Sequence, residues 1–125
     1  MTASIDAEFD RVLASHAPEI ADAARGLVAA VRAQMTDPYE VVDDKDGLIG
    51  FGTSPRMRDL YFAVIPHTAY VNLQLADGAT LPDPDGRIEG TGKRVRHVKV
   101  RSADEAKASW VQAVIAAQIA ARSEP

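Results

Sequence analysis

Apolar positions along this chain change period twice. Ile5, Phe9 and Leu13 recur at every fourth residue and Val12 widens the stripe, so the spacing predicts an amphipathic helix from about Ile5 to His16. Asp6, Glu8 and Asp10 put carboxylates in its first turns, where the positive helix end favours them. Pro18 cannot continue that helix but suits the first position of a new one. Ile20, Ala24, Leu27, Val31 and Met35 then form one continuous face, which predicts a second helix from Pro18 to about Met35. Within it, Gly26 is either a mild cost of roughly 1 kcal/mol relative to alanine, or a place where another element comes close. Thr36-Asp37-Pro38 ends the segment.

From Tyr39 the helical period is lost. Tyr39 to Val42 fits a short strand or a helical turn, and Asp43 to Gly47 is a polar turn. Leu48 to Phe51 reads as a strand broken by glycines, and Thr53 to Arg58 as a basic loop. The unbroken apolar run Leu60 to Ile65 predicts a mostly buried strand. Ala69 to Leu75 alternates, with Val71, Leu73 and Leu75 on one face and Tyr70, Asn72 and Gln74 on the other. Pro66-His67-Thr68 joins these two strands so tightly that they should pair antiparallel.

Ala79 to Gly92 has no period at all. Asp83-Pro84-Asp85-Gly86 carries type I turn chemistry, and Gly90 and Gly92 permit sharp backbone changes. A loop this long is either functional or well packed. Val95 to Val100 predicts one more strand. Ser102 and Glu105 then form a capping box before a last helix whose stripe is Trp110, Val111, Val114, Ile115 and Ile119. The lone tryptophan is expected to anchor this helix on the sheet. The order predicts a single α+β domain over residues 1–125. Its antiparallel sheet of about four to five strands packs on two N-terminal helices and one C-terminal helix, in two layers.

Composition narrows the function classes. The chain has no cysteine, which excludes disulfides, thiolate zinc sites and cysteine nucleophiles. No apolar run reaches the ~20 residues needed to span a bilayer. The opening MTASIDAEFDR has no apolar signal core, which leads us to expect a cytoplasmic protein with no membrane partner. A net charge of -4 argues against non-specific nucleic-acid binding.

Candidate chemistry is sparse. Gly90-Thr91-Gly92-Lys93 imitates the end of a phosphate loop, but Gly86 is one residue too far away and Arg94 stands where Ser or Thr belongs. Asp83, Asp85, Gly86 and Glu89 lack the spacing of a calcium loop; a turn held by aspartate is the ordinary reading. His16, His67 and His97 lie in different elements without metal-ligand spacing, so no metal site is assigned. No nucleophile or acid–base pair is visible. The best candidate surface is basic: Lys93, Arg94, Arg96, Lys99 and Arg101 crowd together beside His97, in a chain with 14 Lys and Arg. Its ordinary reading is a charged strand that protects a sheet edge or pairs with carboxylates such as Glu89.

Several short runs carry a family resemblance: Val71-Asn72-Leu73, Gly78-Ala79, Leu81-Pro82-Asp83-Pro84, Glu89-Gly90-Thr91-Gly92-Lys93 and Arg96-His97-Val98-Lys99. In these the chain resembles the DUF1801 (YdhG-like) family, most densely from about Leu60 to Arg101. The resemblance implies a small α+β domain with an antiparallel sheet on helices. It implies little about activity, although one branch of the family is similar to frataxin in fold and associated with iron handling and iron–sulfur assembly.

The expectation is therefore a non-enzymatic binding domain for an anionic small molecule or an acidic protein surface. Its ligand residues would be Asp83, Asp85, Glu89, Gly90, Gly92, Lys93, Arg94, Arg96 and His97, with no cofactor. The alternative is a frataxin-like iron chaperone, with iron held by the acidic residues of the first two helices.

Overall fold

The structure is a computed structural model that describes the backbone of residues 2–123 and the side chains from Ile5 onward; Met1, Glu124 and Pro125 lie outside the described residues. Helices α1 (Thr2–Leu13) and α2 (Pro18–Gln34) come first. Strands β1 (Tyr39–Asp43), β2 (Leu48–Gly52), β3 (Leu60–Pro66), β4 (Val71–Leu75) and β5 (Arg96–Val100) follow, then a short α3 (Ala103–Ala106) and α4 (Ser109–Ser123). The strands pair in chain order, each antiparallel to the next, as one five-stranded sheet. Short connections make that order the easy one for β1 to β4, whereas β5 returns to β4 only after residues 76–95.

Register explains the two layers. Val42, Ile49, Val64, Leu73 and Val98 lie in one cross-strand row, and Phe51, Phe62 and Leu75 in the next. Ile49, Val64, Leu73, Val98, Phe51, Phe62 and Leu75 are buried against Leu27, Val31, Val111 and Ile115 of the helices. Burying each such side chain stabilises the fold by about 1.5–3 kcal/mol. The intervening positions, among them Asn72, Gln74, His97 and Lys99, lie on the opposite face and are half-buried.

Helix α1 ends sooner than the spacing predicts. The His16 N–H bonds the Leu13 carbonyl at 3.0 Å in a turn. Ala17 is extended, as the residue before proline must be, and α2 starts at Pro18. Arg32 of α2 then joins three elements: it meets Asp6 of α1 at 2.8 Å and Glu40 of β1 at 2.6 Å. Hydrogen bonding to Glu40 raises the Arg32 pKa against the opposing effect of burial, so the guanidinium stays charged.

The expected single C-terminal helix is in fact two. Ser102 Oγ accepts from the Glu105 N–H at 3.0 Å, as the capping box predicts, while the Glu105 carboxylate takes the N–H of Arg101, one residue earlier than Ser102. The Lys107 and Ala108 amides then bond the carbonyls of Asp104 and Glu105, which tightens and ends the first turn. Gln112 Nε2 reaches back to the Ala106 carbonyl at 3.3 Å. Close packing on α2 gives the reason for the break. A Cβ placed on Gly26 would lie 2.9 Å from the Ala106 Cβ, so α3 rests almost on the α2 backbone, and α4 begins separately at Ser109. Of the two readings of Gly26, close approach is the one the fold uses.

Candidate functional site

The surface expected from residues 81–101 divides in the folded chain. Its loop half closes over α4; of its basic half, Arg94 turns to a separate hollow while Arg96 and Lys99 stay beside the loop.

The loop half is built on Asp83. Its carboxylate accepts from the Arg87 and Ile88 amides at 2.7 and 3.2 Å, and the Gly86 amide bonds the Asp83 carbonyl at 3.2 Å. Gly86 sits at φ +66, which favours glycine. Asp83 is therefore occupied in shaping the turn, and the turn lays residues 82–88 across the β5 edge of the sheet. Beneath it lies a groove of about 470 Å³, lined by Ile88 of the turn, by Val98 of β5 and by Trp110, Val114 and Ala117 of α4. Asp85 and Ser109 stand at its rim. The Arg87 guanidinium lies over the Trp110 ring, 4.3 Å from its centroid, and 3.8 Å from Asp85. Trp110 is half-buried: it packs against the core, as an anchor of α4 would, and also forms part of the groove wall. Trp110, Ala113 and Ala117 share one helical face, and the two alanines leave a notch beside the indole.

The remaining expected residues lie outside that groove. Glu89 exchanges both backbone hydrogen bonds with His97, at 2.8 and 3.0 Å, which zips the end of the loop to β5. Its carboxylate pairs with Lys99 at 3.2 Å, and Lys99 also covers the Tyr70 ring at 4.7 Å. Gly90 holds φ +120, a conformation close to glycine-only. The Gly92 carbonyl accepts from Arg96 Nε at 2.7 Å. Lys93 is exposed. Arg94 pairs with Asp77 at 2.8 Å. Most of these groups are thus partnered within the chain: Arg96 and His97 lie against the loop glycines, whereas Lys99 and Arg94 are drawn to Glu89 and Asp77.

Arg94 instead joins residues that the sequence reading did not single out. A hollow of about 210 Å³ at the end of the sheet is lined by Arg58, Tyr61, Gln74, Arg94 and Arg122, among others. Asp77 sits behind it. Its carboxylate takes Arg94 at 2.8 Å and Arg122 at 2.5 Å, and exchanges bonds with Gln118, Nε2 to carboxylate and backbone N–H to Oε1, each at 2.8 Å. Partial burial would push this carboxyl up, but hydrogen bonds from Arg122, then Arg94 and Gln118, outweigh it and bring the pKa down to about 2.

Asp6, Asp10 and Asp22 of the first two helices already have partners. Asp6 pairs with Arg32, and Asp10 and Asp22 with Arg25. Asp43 caps the amides of Lys45 and Asp46. Among the described residues no three His, Asp or Glu side chains converge as a metal site. No helix among them is long and apolar enough to cross a membrane.

Comparison with known proteins finds no match among protein-family models, curated proteins or solved structures.

Proposed function

We propose that this chain is a binding domain without catalytic machinery, and that it holds a small, flat, largely apolar molecule in the groove beneath residues 82–88. The placement of Trp110 carries this reading. The only tryptophan stands half-buried in a groove wall, its ring covered within the chain by the Arg87 guanidinium. A volume near 470 Å³ lies within the ~300–1,000 Å³ range of small-molecule sites, which are mostly apolar with a few polar groups for orientation. Ile88, Val98, Val114 and Ala117 supply the apolar lining. Ser109, Asp85 and the Arg87 guanidinium supply the polar rim. A ligand ring would stack on the indole beside Arg87 or displace it, and the Arg87–Asp85 contact, long at 3.8 Å, offers little resistance. Kinship with the DUF1801 family, resting on the runs between Val71 and Lys99, is part of the same proposal.

Benzyl alcohol, a neutral probe, tests it through the emission of Trp110. A saturable change in wild type is expected, lost in an Ala113→Phe variant that fills the notch from an exposed helix position. A change that rises linearly without saturating, or one that survives Ala113→Phe intact, would remove the groove as the site.

A further inference from the structure

The hollow at the other end of the sheet shares no residue with the groove, and what it can bind does not depend on the reading above. Three arginines reach it from distant parts of the chain: Arg58 from the loop before β3, Arg94 from the segment before β5, and Arg122 from the end of α4. Asp77 neutralises one of these charges. It is held in place by Gln118, itself fully buried, so it cannot swing out to meet the others. Two positive charges are left over. Arg122 is fixed twice more, with Nη1 donating to the Arg58 carbonyl at 2.6 Å and its guanidinium 5.6 Å from the Tyr61 ring centroid. Arg94 commits one nitrogen to Asp77 and is otherwise exposed. Among the described residues the Arg58 guanidinium makes no ion pair. Guanidinium groups from three elements thus border a hollow that also has a phenol and an amide, Tyr61 and Gln74, in its walls, and Arg122 is the one held firmly in place.

We propose that this hollow binds a phosphate monoester, with the phosphoryl dianion among Arg58, Arg94 and Arg122 and a small organic group against Tyr61 and Leu60. The leftover charge of two matches a dianion. Donors arriving from three separate elements suit the several oxygens of a tetrahedral phosphoryl group better than one planar carboxylate, and arginine forks bind such oxygens in pairs. The space of about 210 Å³ limits the organic part to a group near the size of a single ring.

The test is calorimetric titration at low salt with phenyl phosphate, inorganic phosphate and phenol. Phenyl phosphate should bind saturably and more tightly than inorganic phosphate, and phenol should not bind. Arg58→Gln and Arg94→Gln should each weaken phenyl phosphate about tenfold, the loss expected for one charge-assisted hydrogen bond. Arg58 is exposed and makes no ion pair among the described residues, so Arg58→Gln should keep the wild-type melting temperature, whereas Arg94→Gln also gives up its bond to Asp77 and should melt lower. The emission of Trp110 should not move, which separates this site from the groove. Inorganic phosphate binding as tightly as phenyl phosphate would leave an anion site and overturn the ester. Absence of saturable binding, or affinity unchanged in the Arg58→Gln/Arg94→Gln double variant, would overturn the site itself.

Discussion

Replacing Asp77 with asparagine removes the charge on which two arginines depend while keeping an oxygen for Gln118. The carboxyl falls from an ordinary 3.8 to about 2 in the fold, mainly because hydrogen bonds from Arg122 and Arg94 outweigh partial burial. A shift of that size corresponds to about 2 kcal/mol of folding stability at neutral pH. The side chain is 15% exposed, so solvent screening reduces that figure only modestly. A carboxyl lowered on folding stabilises the native state above its unfolded pKa and loses that contribution as pH falls through the folded value. The wild-type advantage over Asp77→Asn should therefore be full above about pH 5 and halve by about pH 3. Urea unfolding followed by Trp110 emission, repeated across that range, measures it. A variant within about 0.5 kcal/mol of wild type at neutral pH, or a gap that does not narrow with acid, would refute the role given to Asp77.

Gly26→Ala, ordinarily a gain of about 1 kcal/mol inside a helix, should instead destabilise, because its methyl meets Ala106; adding Ala106→Gly should restore stability in the same unfolding assay. Ser102→Ala should cost about 1 kcal/mol by thermal or urea unfolding, since the Glu105 amide loses its cap. Arg32→Met should cost about 1–3 kcal/mol by urea unfolding, because it leaves Glu40, whose side chain is 14% exposed, without its ion partner.

Much of the architecture follows from local pattern. The period of Ile20, Ala24, Leu27 and Val31 specifies α2, and the alternation of Val71, Leu73 and Leu75 gives β4 and its inward face. The break between α3 and α4 is harder to see. Ser109 is the one local hint of a second helix start, and the cause is a contact with Gly26, far away in sequence. The sites are harder still. The turn at Asp83 is legible, but not where it lays the loop. A lone tryptophan followed at helical spacing by Ala113 and Ala117 is the signal that could have indicated a notch. Clustering of cations along the sequence points to residues 93–101, whereas folding pairs Lys99 with Glu89 and carries Arg94 to Arg58 and Arg122. Nothing near Arg58 or Arg122 in the sequence foretells that meeting, because it is made by the sheet register and the path of α4.

The groove is the centre of this account, and methyl NMR during a benzyl alcohol titration addresses it most directly. Ile88, Val98, Ala113, Val114 and Ala117 line the groove and each carries a methyl group. These resonances should shift together with a single saturation curve, while those of Ala29, in a hollow between α1 and α2, and of Ala76, in the hollow beside Arg58, stay in place. Shifts centred on those other hollows, or scattered over the surface without saturation, would contradict it.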